Sequence, residues 1–275
     1  MLNEIFQSIA VATRAVFRNW QSLLLIAVAY ASLLAVLYFF VVIREATFVQ
    51  VSLTFASAIV APLLFFVLQA MIAADADEPT VASLLKKSLA SFWKLILISL
   101  PLIALAVLIV YLLGKAQAHF DPGVREAAAE LPRRMATTAN TRDAGTPIDW
   151  KTALLSTIRY LAFGLVLPLT AIHLWLATAR EGLGRGIIRL RQHLARAFAP
   201  QSVLIYIAGF LVFGVAPYFL LFKTTQTRHA WLELSFLVAR LLVVFALTLF
   251  GWVITVRALA QFSTKPSPAR ANEAA

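Results

Sequence analysis

Side chains able to do chemistry are scarce in this sequence and fall in two settings. The first is the basic stretch Gly182–Phe198, GLGRGIIRLRQHLARAF. Arg185, Arg189, Gln192, His193 and Arg196 share one side at helical spacing, and Ile187, Leu190, Leu194 and Phe198 share the other. Arg191 falls at the boundary, where a long stem lets the charged head snorkel. The chemistry on offer is recognition of anions. Guanidinium forks match phosphate and carboxylate oxygens, and the apolar side suits the acyl boundary of a membrane. The second setting is inside apolar runs, where Gln69, His173 and Arg240 stand. A charge there is costly unless it pairs or reaches the headgroups. Arg240 fits snorkelling, a pair with Glu45 or Glu233, or an anion or lipid-phosphate site. His173 fits a hydrogen-bonded packing residue or, given a partner, a ligand or relay.

Nothing in the chain composes a catalytic set. It has no Gly-rich phosphate loop, no His–Glu zinc pair at helical spacing and no Ser–His–Asp set in a recognisable context. No catalytic residue, metal or cofactor is therefore assigned. Cysteine is absent, which rules out disulfides, thiolate metal sites, thiol catalysis and S-palmitoylation. The apolar runs carry almost no carboxylates. That counts against an intramembrane protease or a proton-driven carrier, which need acids or several polar groups at mid-depth.

The elements that must position these groups follow from composition. Of 275 residues, 61% are hydrophobic and 13% charged, against about half and a quarter in a soluble domain; mean hydropathy is +0.84. Six runs are long enough to cross a bilayer, which takes about 20 residues: Leu23–Ile43, Val49–Ala73, Leu95–Leu113, Tyr160–Ala177, Val203–Phe222 and Phe236–Val256. Arg14 and Arg18 before an apolar stretch with Ala29-Tyr30-Ala31 imitate a secretory signal, but the run continues to Ile43 and reads as an uncleaved first span. The fold class is thus an all-α membrane protein, one polytopic domain over residues 1–261. Residues 115–154 form a polar extracytoplasmic insertion, and 262–275 read as a disordered tail.

The six spans group as three hairpins, each preceded by an amphipathic interfacial helix. In the first, Ile5, Ile9, Ala12 and Val16 make the stripe and Arg14 and Arg18 lie off it. In the second, Thr80–Phe92, Val81, Leu84, Ser88 and Phe92 make the stripe, with Lys86 and Lys87 elsewhere. The third is the arginine stretch. Ile59-Val60-Ala61-Pro62-Leu63 aligns with Leu165-Val166-Leu167-Pro168-Leu169, and Asp75 aligns with Glu181 and Gln261. A threefold repeat over about 1–75, 76–181 and 182–261 results. Pro62, Pro101, Pro168 and Pro217 read as ordinary kinks.

A net charge of +11 in such a chain marks a membrane face, not a nucleic-acid partner. Thirteen Lys and Arg residues fall on the side of the N-terminus, residues 74–94, residues 180–202 and the tail, whereas the two short returns hold Arg44, Lys223 and Arg228. Both termini and all three interfacial helices are accordingly expected in the cytoplasm, with the protein in the inner (cytoplasmic) membrane. Expected partners are the lipid bilayer, anionic phospholipid headgroups and other membrane proteins. Headgroups are assigned to Arg14, Arg18, Lys86, Lys87, Arg185, Arg189, Arg191 and Arg196.

Arg18-Asn19-Trp20 and Phe92-Trp93-Lys94 each place basic and aromatic residues before a span. In this the chain resembles the six-span membrane domain of bacterial glycerophosphodiester phosphodiesterases and related integral membrane proteins. The resemblance covers architecture over residues 1–261 and implies a membrane module without an attached hydrolase. The expected function is a non-enzymatic scaffold or lipid- and partner-interacting module. The alternative is a small transporter or permease subunit whose path runs between the hairpins past Gln69, His173 and Arg240. The orientation predicts that a reporter fused after Gln261 is active in the cytoplasm; activity only outside it contradicts the assignment.

Overall fold

Without water to pair with, backbone amides in hydrocarbon must bond within the protein, and the helix does so within a single segment. The computed structural model describes residues 2–43, 47–74, 80–120, 150–223 and 230–264, and every element among them is helical. Most of the polar insertion, the tail beyond Thr264, Glu45 and Arg228 lie outside the described residues, while residues 262–264, read as the start of a disordered tail, continue the last helix. The elements are α1 (Leu2–Arg18), α2 (Trp20–Val42), α3 (Phe48–Ala74), α4 (Val81–Phe120), α5 (Trp150–Leu161), α6 (Leu167–Glu181), α7 (Leu183–Ile188), α8 (Leu190–Ala197), α9 (Pro200–Phe210), α10 (Ala216–Phe222) and α11 (Ala230–Thr264). Among the described residues, six helical stretches are long and apolar enough to cross a membrane: Trp20–Val42, Phe48–Ala74, Val81–Gln117, Ala153–Glu181, Pro200–Phe222 and Trp231–Phe262. They contain the six runs expected, except that Ile43 falls one residue past the end of the first.

Helix starts and stops have local causes. In α1, Ile5, Ser8, Ala12 and Val16 are buried along one stripe and Arg14 and Arg18 are exposed. Asn19 leaves helical geometry at φ −107° and ψ 60°, so α1 is separate from the first span. A reciprocal capping box opens α3: Gln50 N–H donates to Thr47 Oγ1 at 3.3 Å, and Thr47 N–H donates to Gln50 Oε1 at 2.9 Å. Thr80 Oγ1 caps α4 by accepting from Ser83 N–H at 3.3 Å.

The second interfacial helix is not a separate element. Helix α4 runs unbroken through 40 residues, about 60 Å at the α-helical rise, which is about twice the hydrocarbon thickness. Trp93 and Lys94 mark a change of composition, and neither has any reason to stop a helix. The third interfacial stretch departs the other way. It is two short helices, α7 and α8, joined at Arg189 with φ −97° and ψ 17°.

Pro62 and Pro101 sit inside continuous α-helices. Pro168 and Pro217 instead follow π turns, Ala162–Val166 and Leu211–Val215, each containing a glycine. A proline lacks its N–H and its ring presses on the preceding turn. A wider i→i+5 turn there relieves the clash.

The chain divides into two units. The first comprises residues 1–98 and 169–275, the second residues 99–168. In the second, α4 and α5 share a small pocket of about 190 Å³ lined by Gln117, Ser156 and Arg159 among apolar neighbours. In the first, α2 packs on α3, and α11 packs on α1, α3, α9 and α10. The contact between α9 and α11 is close because of glycine. A Cβ on Gly209 would overlap the side chain of Thr255, which is buried and donates to the Gly251 carbonyl at 2.6 Å. Gly209→Ala is therefore expected to cost about 1–3 kcal/mol, the usual range for overpacking. Thermal unfolding in detergent should show the loss, with much of it recovered in Gly209→Ala/Thr255→Ala. Equal losses in the single and double variants would mean the two sites are not coupled.

Candidate functional site

The three intramembrane polar residues have separate partners. Gln69, 5% exposed, accepts from the indole N–H of Trp252 at 3.0 Å, and Trp252 packs edge-on against Phe213 with centroids 5.1 Å apart. His173 donates from Nδ1 to the Leu169 carbonyl one turn back, at 2.9 Å. Arg240 donates to the Lys223 carbonyl, which follows the last turn of α10. Helix C-termini concentrate unpaired carbonyls and negative dipole charge, so a guanidinium is well placed there. Gln69 and Arg240 thus serve packing and capping, and His173 borders a polar cavity.

That cavity is formed by α6 and α8. It measures about 200 Å³ and is lined by His173, Leu176, Ala177, Arg180, Glu181, His193 and Arg196. Gly182 produces it. With φ +83° it adopts the left-handed conformation that glycine enters without strain, and its N–H closes the α6 C-terminus on the Thr178 carbonyl at 3.0 Å. The chain then reverses through α7 and brings α8 against the last turns of α6. Arg180 Nη1 donates to the Ala260 carbonyl of α11 at 3.0 Å, which fixes its head. Arg189 Nη1 stands 3.5 Å from Glu181 Oε2, partly neutralising the one carboxylate on the lining.

His193 is the feature the sequence reading missed. It belongs to the same helical side as the arginines, yet it is 6% exposed, and its Nε2 is buried with no hydrogen-bond partner. Ala197, one turn on, is fully buried beside it. Of the stripe Ile187, Leu190, Leu194 and Phe198, Leu190 and Phe198 are exposed, Leu194 is half-buried, and the Ile187 side chain lies outside the described residues. So α8 has three sides: an apolar one outward, an arginine one, and a His193–Ala197 one against the protein. The available signal was Ala197, a residue small enough to allow close approach one turn from a histidine.

The headgroup residues distribute as follows. Arg14, Arg18, Lys86, Arg191 and Arg196 are exposed, Lys87 is half-buried, and Arg189 is 57% exposed at its side chain. The Arg185 side chain lies outside the described residues. Comparison with protein-family models, with curated proteins and with solved structures yields no match.

Burial holds the His193 pKa below the ordinary imidazole value; Glu181 acts against this, while Arg196 and Arg189 reinforce it. The folded protein therefore binds this proton less readily than the unfolded chain. The stabilisation is complete above the ordinary value of about 6.5 and is lost as pH falls below it through the folded value. Thermal midpoints in detergent should drop on acidification below that value, and His193→Gln should reduce the drop. Parallel curves for the two proteins would show that His193 does not titrate against folding.

Proposed function

We propose that the protein is a non-enzymatic membrane module that gathers anionic phospholipid headgroups, and through them or directly other membrane proteins, at one face of the bilayer. The observation that carries this is the pairing of charge and exposure at the helix ends. Arg191 and Arg196 are exposed on the same short helix as Leu190, and Phe198 is exposed at its C-terminal cap, the side-chain placement of a helix lying in the interface. Arg14, Arg18 and Lys86 are exposed on the helices that lead into the first and third spans.

In this reading the three hairpins are repeats of one unit, about 1–75, 76–181 and 182–261, with their interfacial segments and both termini in the cytoplasm and the protein in the inner membrane. The packing of α2 on α3 and of α9 and α10 on α11 supports the first and third hairpins. The excess of Lys and Arg on that side supports the orientation. The likeness to the membrane domain of glycerophosphodiester phosphodiesterases rests on sequence architecture alone. The alternative, a small transporter or permease subunit, draws on the polar groups within the spans, but Gln69, His173 and Arg240 bond to three different neighbours.

Native mass spectrometry of protein extracted gently from its own membrane tests the proposal. Retained lipid should be enriched in anionic phospholipid relative to that membrane. Removing Arg14, Arg18 and Arg191 together by Gln substitution should lower the enrichment, by about fivefold for each charge that engages a headgroup. Retained lipid that mirrors the membrane, with no stoichiometric partner protein, contradicts the proposal.

A further inference from the structure

We infer that the cavity between α6 and α8 is a binding site for one phosphate group, held by Arg180, His193 and Arg196. This deepens the headgroup reading and rests on it, since it names a single built site within a broadly cationic face.

The argument starts from a cost. A buried polar atom without a partner loses its hydration with nothing in return, about 1–3 kcal/mol. His193 is 6% exposed, its Nε2 is such an atom, and the residue lines the cavity. Two guanidinium groups, Arg180 and Arg196, share that lining. Forked guanidinium donors and imidazole N–H match the oxygens of a phosphate and give charge-assisted bonds. The opposing carboxylate, Glu181, has an Oε2 that is likewise buried without a hydrogen-bond partner and stands 3.5 Å from Arg189; two guanidinium groups against this one carboxylate leave the lining net positive even with the histidines counted as neutral. His173 and the apolar Leu176 and Ala177 complete the wall.

Size and position narrow the ligand. A drug-sized molecule needs about 300–1,000 Å³, and this cavity has about 200 Å³, enough for a headgroup phosphate or a free phosphate ion. It lies at the last turn of an apolar stretch that ends at Glu181, where a span leaves hydrocarbon for the headgroup layer. The shared chemistry is a tetrahedral phosphoryl oxyanion. A phospholipid and inorganic phosphate are its two sources.

The test uses full-length protein in detergent, stripped of lipid and titrated with phosphatidylglycerol, with oleate as a phosphate-free anionic amphiphile, and with inorganic phosphate, read by native mass spectrometry. Phosphatidylglycerol should bind in preference to oleate. Arg196→Gln and His193→Gln should each weaken it about tenfold, the loss of one charge-assisted bond. Arg191→Gln, on the same helix but off the lining, removes one charge of the cationic face and should weaken phosphatidylglycerol and oleate alike, leaving the preference between them unchanged. Arg196 is exposed, so its variant folds even where the His193 variant does not. Displacement of the lipid by inorganic phosphate supports the site with the free ion as its ligand. Lipid binding that inorganic phosphate cannot displace supports it with the lipid headgroup as its ligand. A preference for phosphatidylglycerol over oleate that Arg196→Gln leaves as intact as Arg191→Gln does overturns the cavity site and leaves the general cationic face standing. Equal binding of oleate and phosphatidylglycerol overturns the phosphate assignment, and no binding of either amphiphile removes both readings.

Discussion

From Leu249 to Ala260 the last helix is almost continuously buried, whereas from Trp231 to Ala239 the same helix is exposed at every position. Helices α1, α3, α9 and α10 pack on it, and Arg180 of α6 donates to its Ala260 carbonyl at 3.0 Å. In lipid there is no hydrophobic gain from bringing apolar helices together, so association depends on close fit. Gly251, Ala258 and Ala260 on α11, and Gly209 facing Thr255, provide that fit. The first and last helices are thereby tied to each other and to the cavity-bearing helix of the same unit.

This packing decides what the polar groups can do. The three polar residues singled out within the spans are engaged separately: Gln69 by Trp252, Arg240 by the end of α10, and His173 by a carbonyl of its own helix. The convergence of charge lies instead beyond the helix end, where Gly182 turns the chain. Arg180 is held from α11, and α8 delivers His193 and Arg196 from the other side. A charged cleft at that level costs less than one at mid-depth, because headgroups and water can share the charge.

The spans were legible because hydropathy over about 20 residues reports a bilayer crossing whatever the tertiary contacts are. The stripe through Ile5, Ala12 and Val16 was legible for a related reason, helical period. Continuity was not legible. Trp93-Lys94 marks an interface in composition while leaving the α4 backbone unbroken, and Arg189 breaks a helix although arginine is a good helix former. The Thr47–Gln50 box was readable as a Thr-x-x-Gln pattern and went unread. The prolines were read alike, but two of them follow glycine-containing π turns, a distinction that turns on the residues before the proline. The cavity escaped because it depends on a reversal that sets α8 against α6. On a helical wheel His193 is one more polar residue among arginines.

The most direct test of the phosphate cavity is a solid-state measurement of ¹⁵N–³¹P dipolar coupling on histidine-labelled protein reconstituted in phospholipid bilayers. With inorganic phosphate also present, the proposed site predicts coupling between phosphorus and a side-chain nitrogen of His193, reduced in Arg196→Gln and retained in Arg191→Gln. Absence of ³¹P coupling at every histidine would contradict the account, and the cavity would then be a structural cleft without a phosphate ligand.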